Sequence, residues 1–218
     1  MTRPLVRLLQ ALDRFHAGRP WDHNAHYHPW ILRQLPARFG SALDVGCGSG
    51  DLARLLAARG GAVRGVDADA AIVERARELT PSESAVRYVV GDAVKELPPG
   101  TYDVITCVAV LHHLPFREAL EGFRERLAPG GTLVVVGCAR EESRTDQAFG
   151  LASAAANVVM ALARNKGRKV ARPAAMTAPV RAADMSFARI AGEARVLLPG
   201  VRVRRGLFWR YVMVWRKP

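Results

Sequence analysis

Short apolar runs alternate with helical patterns along the middle of the chain, from residue 41 to residue 137. Five runs have the length and composition of buried strands, and they lie at 42–45, 62–66, 86–90, 102–110 and 132–137. Between them, apolar residues recur every three or four positions and predict helices, at 52–59, 70–79 and 116–127. Strands that alternate with such helices favour βαβ units, and therefore a parallel sheet covered by helices on both faces.

The pattern changes on both sides of this region. Before it, helical spacing at 5–15 is followed by a segment rich in His and aromatic residues at 21–30 and by a short helix at 31–35. After it come an Ala-rich helix at about 147–164, a basic stretch at 164–179 and a helix at about 184–198. Two further strands, 201–205 and 207–215, are joined at Gly206 and predict a hairpin that closes the sheet with an antiparallel strand.

The predicted fold is a single α/β domain with a Rossmann-like, doubly wound sheet of seven strands. The sheet is mostly parallel with an antiparallel C-terminal strand, and a helical cap covers one side. The predicted parts are an N-terminal helical cap, a core, a helical insertion and a closing hairpin, at 1–38, 41–137, 139–198 and 201–216.

Composition narrows the class of protein. The chain has 218 residues, of which 50% are hydrophobic and 24% charged, as is usual for a globular protein. Three widely spaced cysteines, Cys47, Cys107 and Cys138, are typical of reduced side chains in a cytoplasmic protein. The longest uncharged stretch, 147–163, is shorter than the roughly 20 apolar residues of a spanning helix, so no transmembrane segment is predicted.

The sharpest motif is Asp44-Val-Gly46-Cys-Gly48-Ser-Gly50, between the first predicted strand and its helix. Glycines let the backbone turn tightly and let a ligand approach it, while the helix N-terminus offers free N–H groups. The spacing is not that of a dinucleotide fingerprint, because Asp51 stands where the third glycine would be and would repel a pyrophosphate. Asp44 instead suits a ligand with an ammonium or sulfonium group. The alternative is an ordinary α/β turn that holds no ligand.

A second acid ends the next predicted strand. Asp67 follows Asp44 by 23 residues, where a carboxylate can accept both hydroxyls of a ribose. Its alternative role is to cap the following helix, although Asp69 is the better candidate for that cap.

Residues 41–137 resemble the class I S-adenosylmethionine-dependent methyltransferases that act on small molecules. The matching segments, in order, are LDVGCGSGDLA at 43–53, GVD at 65–67, GDA at 91–93, YDVITCVAVLHHL at 102–114 and LAPGGT at 127–132. The resemblance implies S-adenosylmethionine as the cofactor and methyl transfer as the activity.

The resemblance also implies a set of cofactor-binding residues. The glycine loop would hold the methionine portion, Asp67 the ribose, and Asp92 the adenine amino group. Ala93 would offer its N–H to the adenine ring, and the backbone at Cys107 and Val108 would line the methionine side. The full implied set is Asp44, Gly46, Cys47, Gly48, Gly50, Asp67, Ala68, Asp92, Ala93, Cys107 and Val108. For Asp92, a plain turn residue is the alternative, since Gly-Asp is common in turns.

Histidines supply the remaining candidates. His112 and His113 are expected to open the helix after the fourth strand, and either is a candidate general base, since a neutral imidazole suits proton abstraction near pH 7. The alternative is that one packs beneath the loop and the other is solvated. The histidines at 23, 26 and 28 lack a nearby carboxylate or cysteine partner, so no metal site is predicted. Their segment is instead expected to form a lid, with Tyr27 as a cofactor or substrate contact.

The net positive charge of the C-terminal third is compatible with several kinds of binding partner. Of the net charge of +12, +10 lies in residues 141–218, where 15 Lys and Arg face 5 Asp and Glu. The basic run at 164–172 is interpreted as a solvated loop, as a site for an acidic substrate or RNA, or as a contact with a membrane surface. The prediction is methyl transfer by in-line displacement to a small, lipophilic acceptor. The alternatives are an RNA-directed methyltransferase and a cofactor-binding protein without turnover.

Overall fold

A computed structural model describes residues 18–170 and 181–218. Its strands are β1 Ser41–Val45, β2 Ala62–Asp67, β3 Val86–Val90, β4 Tyr102–Val108, β5 Leu127–Cys138, β6 Arg202–Arg205 and β7 Arg210–Arg216. Its α-helices are α1 His23–Gln34, α2 Asp51–Ala57, α3 Ala70–Glu78, α4 Phe116–Arg126, α5 Arg144–Arg164 and α6 Phe187–Leu197. The helix predicted at 5–15 lies outside the described residues.

All seven strands form one sheet in the order β3-β2-β1-β4-β5-β7-β6. The first five strands are parallel to one another, and β7 is antiparallel to both β5 and β6. The predicted seven-stranded, mostly parallel sheet with an antiparallel C-terminal strand is therefore confirmed. The division into cap, core, insertion and hairpin remains a prediction.

Helices bury both faces of the sheet. Along β1, Leu43 and Val45 belong to one buried cluster, which α4 and α6 complete, while Ala42 belongs to the cluster that α1, α2 and α3 complete. Successive side chains of a strand point to opposite faces, so a strand buried on both sides needs a continuous apolar run. That requirement explains why the strand runs were visible in the sequence.

The segment before β1 departs from the prediction. One helix, α1, covers both the stretch expected as a lid and the short helix predicted at 31–35. It begins at its N-cap Asp22, whose side chain accepts hydrogen bonds from the N–H groups of Asn24 and Ala25 at 2.7 and 3.1 Å. Pro29 and a run of weak helix formers obscured this helix, which its packing against the sheet stabilises.

Two turns also differ from their predictions. His112 and His113 do not open a helix but lie in a 3₁₀ turn, and α4 begins only after Pro115, which disfavours helical backbone at the residue before it. The hairpin connection covers 206–209 rather than Gly206 alone. Phe208 and Trp209 both have φ of 58°, and the N–H of Phe208 donates to Ser153 Oγ at 2.8 Å, which draws this loop onto α5.

Candidate functional site

A cleft opens at the carboxyl ends of β1 and β4, where the strand order reverses. This is where open α/β sheets bind ligands, because the connections on either side leave in opposite directions. The lining residues come from the start of α1, the loop after β1, the start of α2 and the end of β4. They are Asp22, Asn24, His28, Asp44, Gly46, Cys47, Gly48, Ser49, Asp51, Leu52 and Val108.

The glycine loop has the backbone that its sequence requires. Gly46, Gly48 and Gly50 have φ of 68°, 50° and 79°, values that favour glycine. A Cβ at Gly46 would overlap the side chain of Val110, whereas one at Gly48 would meet no atom within 4 Å. The loop therefore packs against the segment that follows β4 at Gly46 and leaves open space at Gly48.

Asp44 is a buried acid at the base of the cleft, 2% exposed. Burial raises the pKa of its carboxyl to about 7, an effect that the hydrogen bond from Thr106 opposes and the charge of Asp67 reinforces. Thr106 Oγ1 donates to Asp44 Oδ1 at 2.7 Å. A cationic ligand would stabilise the charged form of this carboxyl, as the sequence predicted from its position.

Asp67 is held in place by two backbone groups. The N–H of Gly48 donates to Oδ2 at 2.9 Å, and the N–H of Asp69 donates to Oδ1 at 3.1 Å. Asp69, not Asp67, caps α3, since its side chain accepts from the N–H groups of Ala71 and Ile72. Each oxygen of Asp67 retains lone-pair capacity for a further donor, which is what two ribose hydroxyls need.

The cleft is acidic. Its described lining includes Asp22, Asp44 and Asp51 and contains neither Lys nor Arg. Arg54 pairs with Asp51 at 2.7 Å and so offsets part of this charge. A sulfonium or ammonium group fits such a lining, and a pyrophosphate does not.

The residues that the resemblance assigns to the adenine, Asp92 and Ala93, follow β3, the strand next to the one that ends at Asp67. Asp92 is exposed, and Oδ1 accepts from the N–H groups of Val94 and Lys95 at 2.8 and 3.1 Å. These bonds lower the pKa of its carboxyl. Asp92 is thus a turn residue, and its exposed carboxylate can still accept a bond. Ala93 is buried and packs in the core, while Ala68 is exposed.

The two candidate cofactor contacts at the end of β4, Cys107 and Val108, differ in where their side chains lie. Val108 lines the cleft, whereas the side chain of Cys107 is fully buried in the core. Only the backbone of Cys107 remains a candidate contact, as the resemblance implied.

The structure does not bring Tyr27 to this cleft. Its hydroxyl donates to the carbonyl of Leu207 at 2.8 Å, and its ring lines a separate cavity with Trp30. Asn24 and His28, four residues apart on another side of α1, reach the cleft instead. Sequence reasoning missed both, although their spacing after the cap at Asp22 was a usable signal.

A second group of polar side chains lies at the carboxyl end of β5. Arg210 is paired with Cys138 in the sheet, and His112 lines a small cavity with Cys138. Nε of Arg210 and Nδ1 of His112 are buried, and neither has a hydrogen-bond partner within the described residues. Burial, His113 and Arg210 together lower the pKa of His112 to about 4, so its imidazole is neutral near pH 7. His113 is exposed, its ring 4.0 Å from that of His112.

Two further histidines, His23 and His26, pack against aromatic rings. The rings of His23 and His26 lie against Trp21 and Phe208 at centroid distances of 4.5 to 5.7 Å. Among residues 18–170 and 181–218, no group of three His, Cys, Asp or Glu side chains is placed to hold a metal ion.

Comparison of the sequence with known proteins identifies methyltransferases as its relatives. A family model described as a methyltransferase domain matches residues 43–135. An uncharacterized methyltransferase of Mycobacterium tuberculosis is 32% identical over 202 residues, which cover 92% of this chain and 98% of the relative. A ubiquinone biosynthesis O-methyltransferase of Pseudomonas paraeruginosa is 30% identical over 194 residues, covering 81% and 82%.

The fold also matches solved structures. The N-methyltransferase NodS from Bradyrhizobium japonicum, in complex with S-adenosyl-L-homocysteine, superposes with a TM-score of 0.57 at 22% identity. The match covers 96% of this chain and 97% of that one.

Proposed function

Because the chain belongs to the class I S-adenosylmethionine-dependent methyltransferases, we propose that this enzyme methylates a hydroxyl group of a small, lipophilic acceptor. The cofactor class follows from the family. The choice of a hydroxyl acceptor rests on two buried nitrogens, Nδ1 of His112 and Nε of Arg210, for which the described residues provide no hydrogen-bond partner.

The residues of the cleft fit the cofactor. The loop from Asp44 to Gly50 would hold its methionine portion and Asp67 its ribose, and the open space at Gly48 leaves room for the ligand. When bound, S-adenosylmethionine supplies a methyl carbon on a positively charged sulfur, which a nucleophile displaces in line. The work left to the protein is to position the acceptor atom and to exclude water.

His112 and Arg210 are suited to opposite parts of a hydroxyl group. The neutral imidazole of His112 accepts the hydrogen bond and then the proton through Nδ1. Nε–H of Arg210 donates to the oxygen and stabilises the negative charge that develops there. An amine would not use Arg210 in this way, because it gains positive charge as it attacks.

The surroundings of these two side chains favour a lipophilic acceptor. The cavity beside His112 is lined by apolar side chains, among them Leu111, Phe116 and Ile190. Arg210 lines a neighbouring cavity with Phe149 and Trp209. The Pseudomonas relative is named as an O-methyltransferase, which supports oxygen as the accepting atom.

Neither alternative from the sequence is favoured by these relatives. An RNA-directed enzyme was suggested by the basic C-terminal third, and a protein without turnover by the fold alone.

The first experiment is calorimetric titration with S-adenosylhomocysteine, with NADH as the control. We expect binding of the first and none of the second. Transfer of a labelled methyl group is then measured with phenols, aliphatic alcohols, anilines and thiols of similar size. Transfer to anilines but not to phenols would refute the hydroxyl acceptor and leave the cofactor class intact, whereas absence of S-adenosylhomocysteine binding would refute both.

A further inference from the structure

The solvent-facing side of α5 is apolar. Leu151 and Val159 are 75% and 64% exposed, and Leu162 is also exposed at the end of the same side. These positions follow one another at helical spacing, and residues 147–163 contain no charged side chain. A surface helix of a globular protein normally turns such a stripe toward the core.

The protein-facing side of α5 carries the polar groups. Ser153 and Asn157, four residues apart, are buried. Ser153 Oγ accepts from the N–H of Phe208 at 2.8 Å, and Asn157 Oδ1 accepts from Nε1 of Trp21 at 2.7 Å. These bonds fix the rotation of the helix, so its apolar stripe faces outward. They also hold α5 on the domain, although its 21 residues are by length and composition sufficient to cross a membrane.

Positive charge follows the stripe directly. Arg164, Lys166, Arg168 and Lys169 are all exposed, and no Asp or Glu occurs between residues 147 and 183. At the other end of α5 the charges balance, since Arg140, Arg144 and Arg205 stand against Glu141, Glu142 and Asp146, the last of which pairs with Arg205 at 2.7 Å. The surface therefore combines an apolar strip with a cluster of exposed cations at one end.

We propose that this surface, formed by the exposed side of α5 and the cations at 164–169, binds an anionic lipid bilayer. An interfacial helix buries its apolar side at the level of the headgroups and gains further attraction from basic residues. Each Lys or Arg near an anionic membrane adds to this attraction.

A second copy of this chain is a poorer match. Packing two α5 helices antiparallel would place the cations of one against the balanced end of the other, and a parallel arrangement would bring like charges together. Neither arrangement offers the negative charge that an anionic bilayer supplies.

The position of α5 suggests a function for the proposed membrane contact, which is delivery of the acceptor. Phe149 on α5 and the exposed Trp209 line the same cavity as Arg210. The cavity of Arg210 therefore lies against α5, next to the membrane-facing surface, and a lipophilic acceptor would reach this cavity from the bilayer. This consequence rests on the proposed function, whereas the membrane contact does not.

The test is co-sedimentation of the full chain with lipid vesicles. Vesicles of phosphatidylcholine alone are compared with vesicles that also contain phosphatidylglycerol, each at low and at high salt. We expect binding to the anionic vesicles that weakens as salt rises. Substituting Gln at Arg164, Lys166, Arg168 and Lys169 should remove most of the salt dependence.

A matched pair of variants locates the contact. Leu151→Glu and Val196→Glu introduce the same charge at positions that are 75% and 71% exposed, the first on α5 and the second on α6. We expect Leu151→Glu to weaken vesicle binding at least about tenfold and Val196→Glu to change it little. Retained S-adenosylhomocysteine binding shows that each variant is folded.

Three results would overturn the proposal. The first is an absence of binding to anionic vesicles, and the second is equal binding by the two Glu variants. The third is a dimer in analytical ultracentrifugation that Leu151→Glu dissociates, which would assign the surface to a second copy of the chain.

Discussion

The two ends of the proposed active site differ in how their polar groups are held. At the cofactor end, formed by the loop at 44–50 and by Asp67, each acid has hydrogen-bond partners, such as Gly48 for Asp67 and Thr106 for Asp44. At the acceptor end, formed by His112, Cys138 and Arg210, two buried nitrogens have none within the described residues. The polar groups that would bind the cofactor are thus already held in place by the protein. At the acceptor end, we expect the bound acceptor to supply the missing hydrogen-bond partners.

The largest expected effect tests the acceptor end. His112→Ala removes the proton acceptor, so we expect kcat to fall by about 10² to 10⁴. The affinity for S-adenosylhomocysteine should stay the same, because His112 does not line the cofactor cleft. Calorimetry and steady-state kinetics on one preparation check both values.

His113→Ala is the control for that variant. The exposed neighbour should lose less than about tenfold in kcat, since its ring is solvated. Equal losses in the two variants would mean that the pair acts by packing rather than by proton transfer.

The second prediction tests the cofactor end. Asp67→Ala should weaken S-adenosylhomocysteine binding by about 2–3 kcal/mol, because hydrogen bonds to a charged group are lost. Titration calorimetry measures the change. An unchanged affinity would show that the ribose lies elsewhere.

The difference between the two ends also explains what the sequence could predict. The loop at 44–50 is continuous in sequence, so its glycines and Asp44 could be recognised together. The strands were visible because burial on both faces demands continuous apolar runs. The cofactor end is thus encoded locally.

The acceptor end is encoded by segments far apart in the chain. Arg210 reaches the end of β5 only because β7 pairs antiparallel with that strand. The local sequence pattern predicts neither the role of Arg210 nor the position of His28 in the cleft, because both depend on tertiary packing. Tyr27 was chosen as an aromatic lid residue, but the rotation of α1 carries its ring to another cavity.

The third prediction uses the pKa of Asp44, which burial raises from 3.8 to about 7. Between these values the folded protein binds more protons than the unfolded chain, so this group makes stability fall as pH rises. Affinity for S-adenosylmethionine should change in the opposite direction and rise by up to about tenfold per pH unit, since the cation prefers the ionised carboxyl.

Calorimetry at several pH values between about 6 and 8 measures this dependence. Burial lowers the pKa of His28, the histidine in the cleft, so Asp44→Asn is needed to separate the two groups. The Asn variant should lose most of the slope. A slope that persists in Asp44→Asn would assign the titration to another group.

The smallest expected effect concerns Asp69, two residues after Asp67. Asp69→Ala removes the side-chain bonds to the N–H groups of Ala71 and Ile72, so we expect a loss of about 1 kcal/mol in the free energy of unfolding. The N–H of residue 69, which donates to Asp67 Oδ1, survives the substitution. The carboxylate at 67 therefore keeps both of its backbone bonds.

Cofactor affinity should accordingly change by less than about threefold in Asp69→Ala, although the helix is less stable. Denaturant unfolding and calorimetry on this variant and on Asp67→Ala distinguish the two acids. If Asp69→Ala lost as much affinity as Asp67→Ala, both losses would report on disorder at the start of α3. The assignment of Asp67 to the ribose would then fail, because an acid that binds the cofactor directly must cost more affinity than an acid that only caps the adjoining helix.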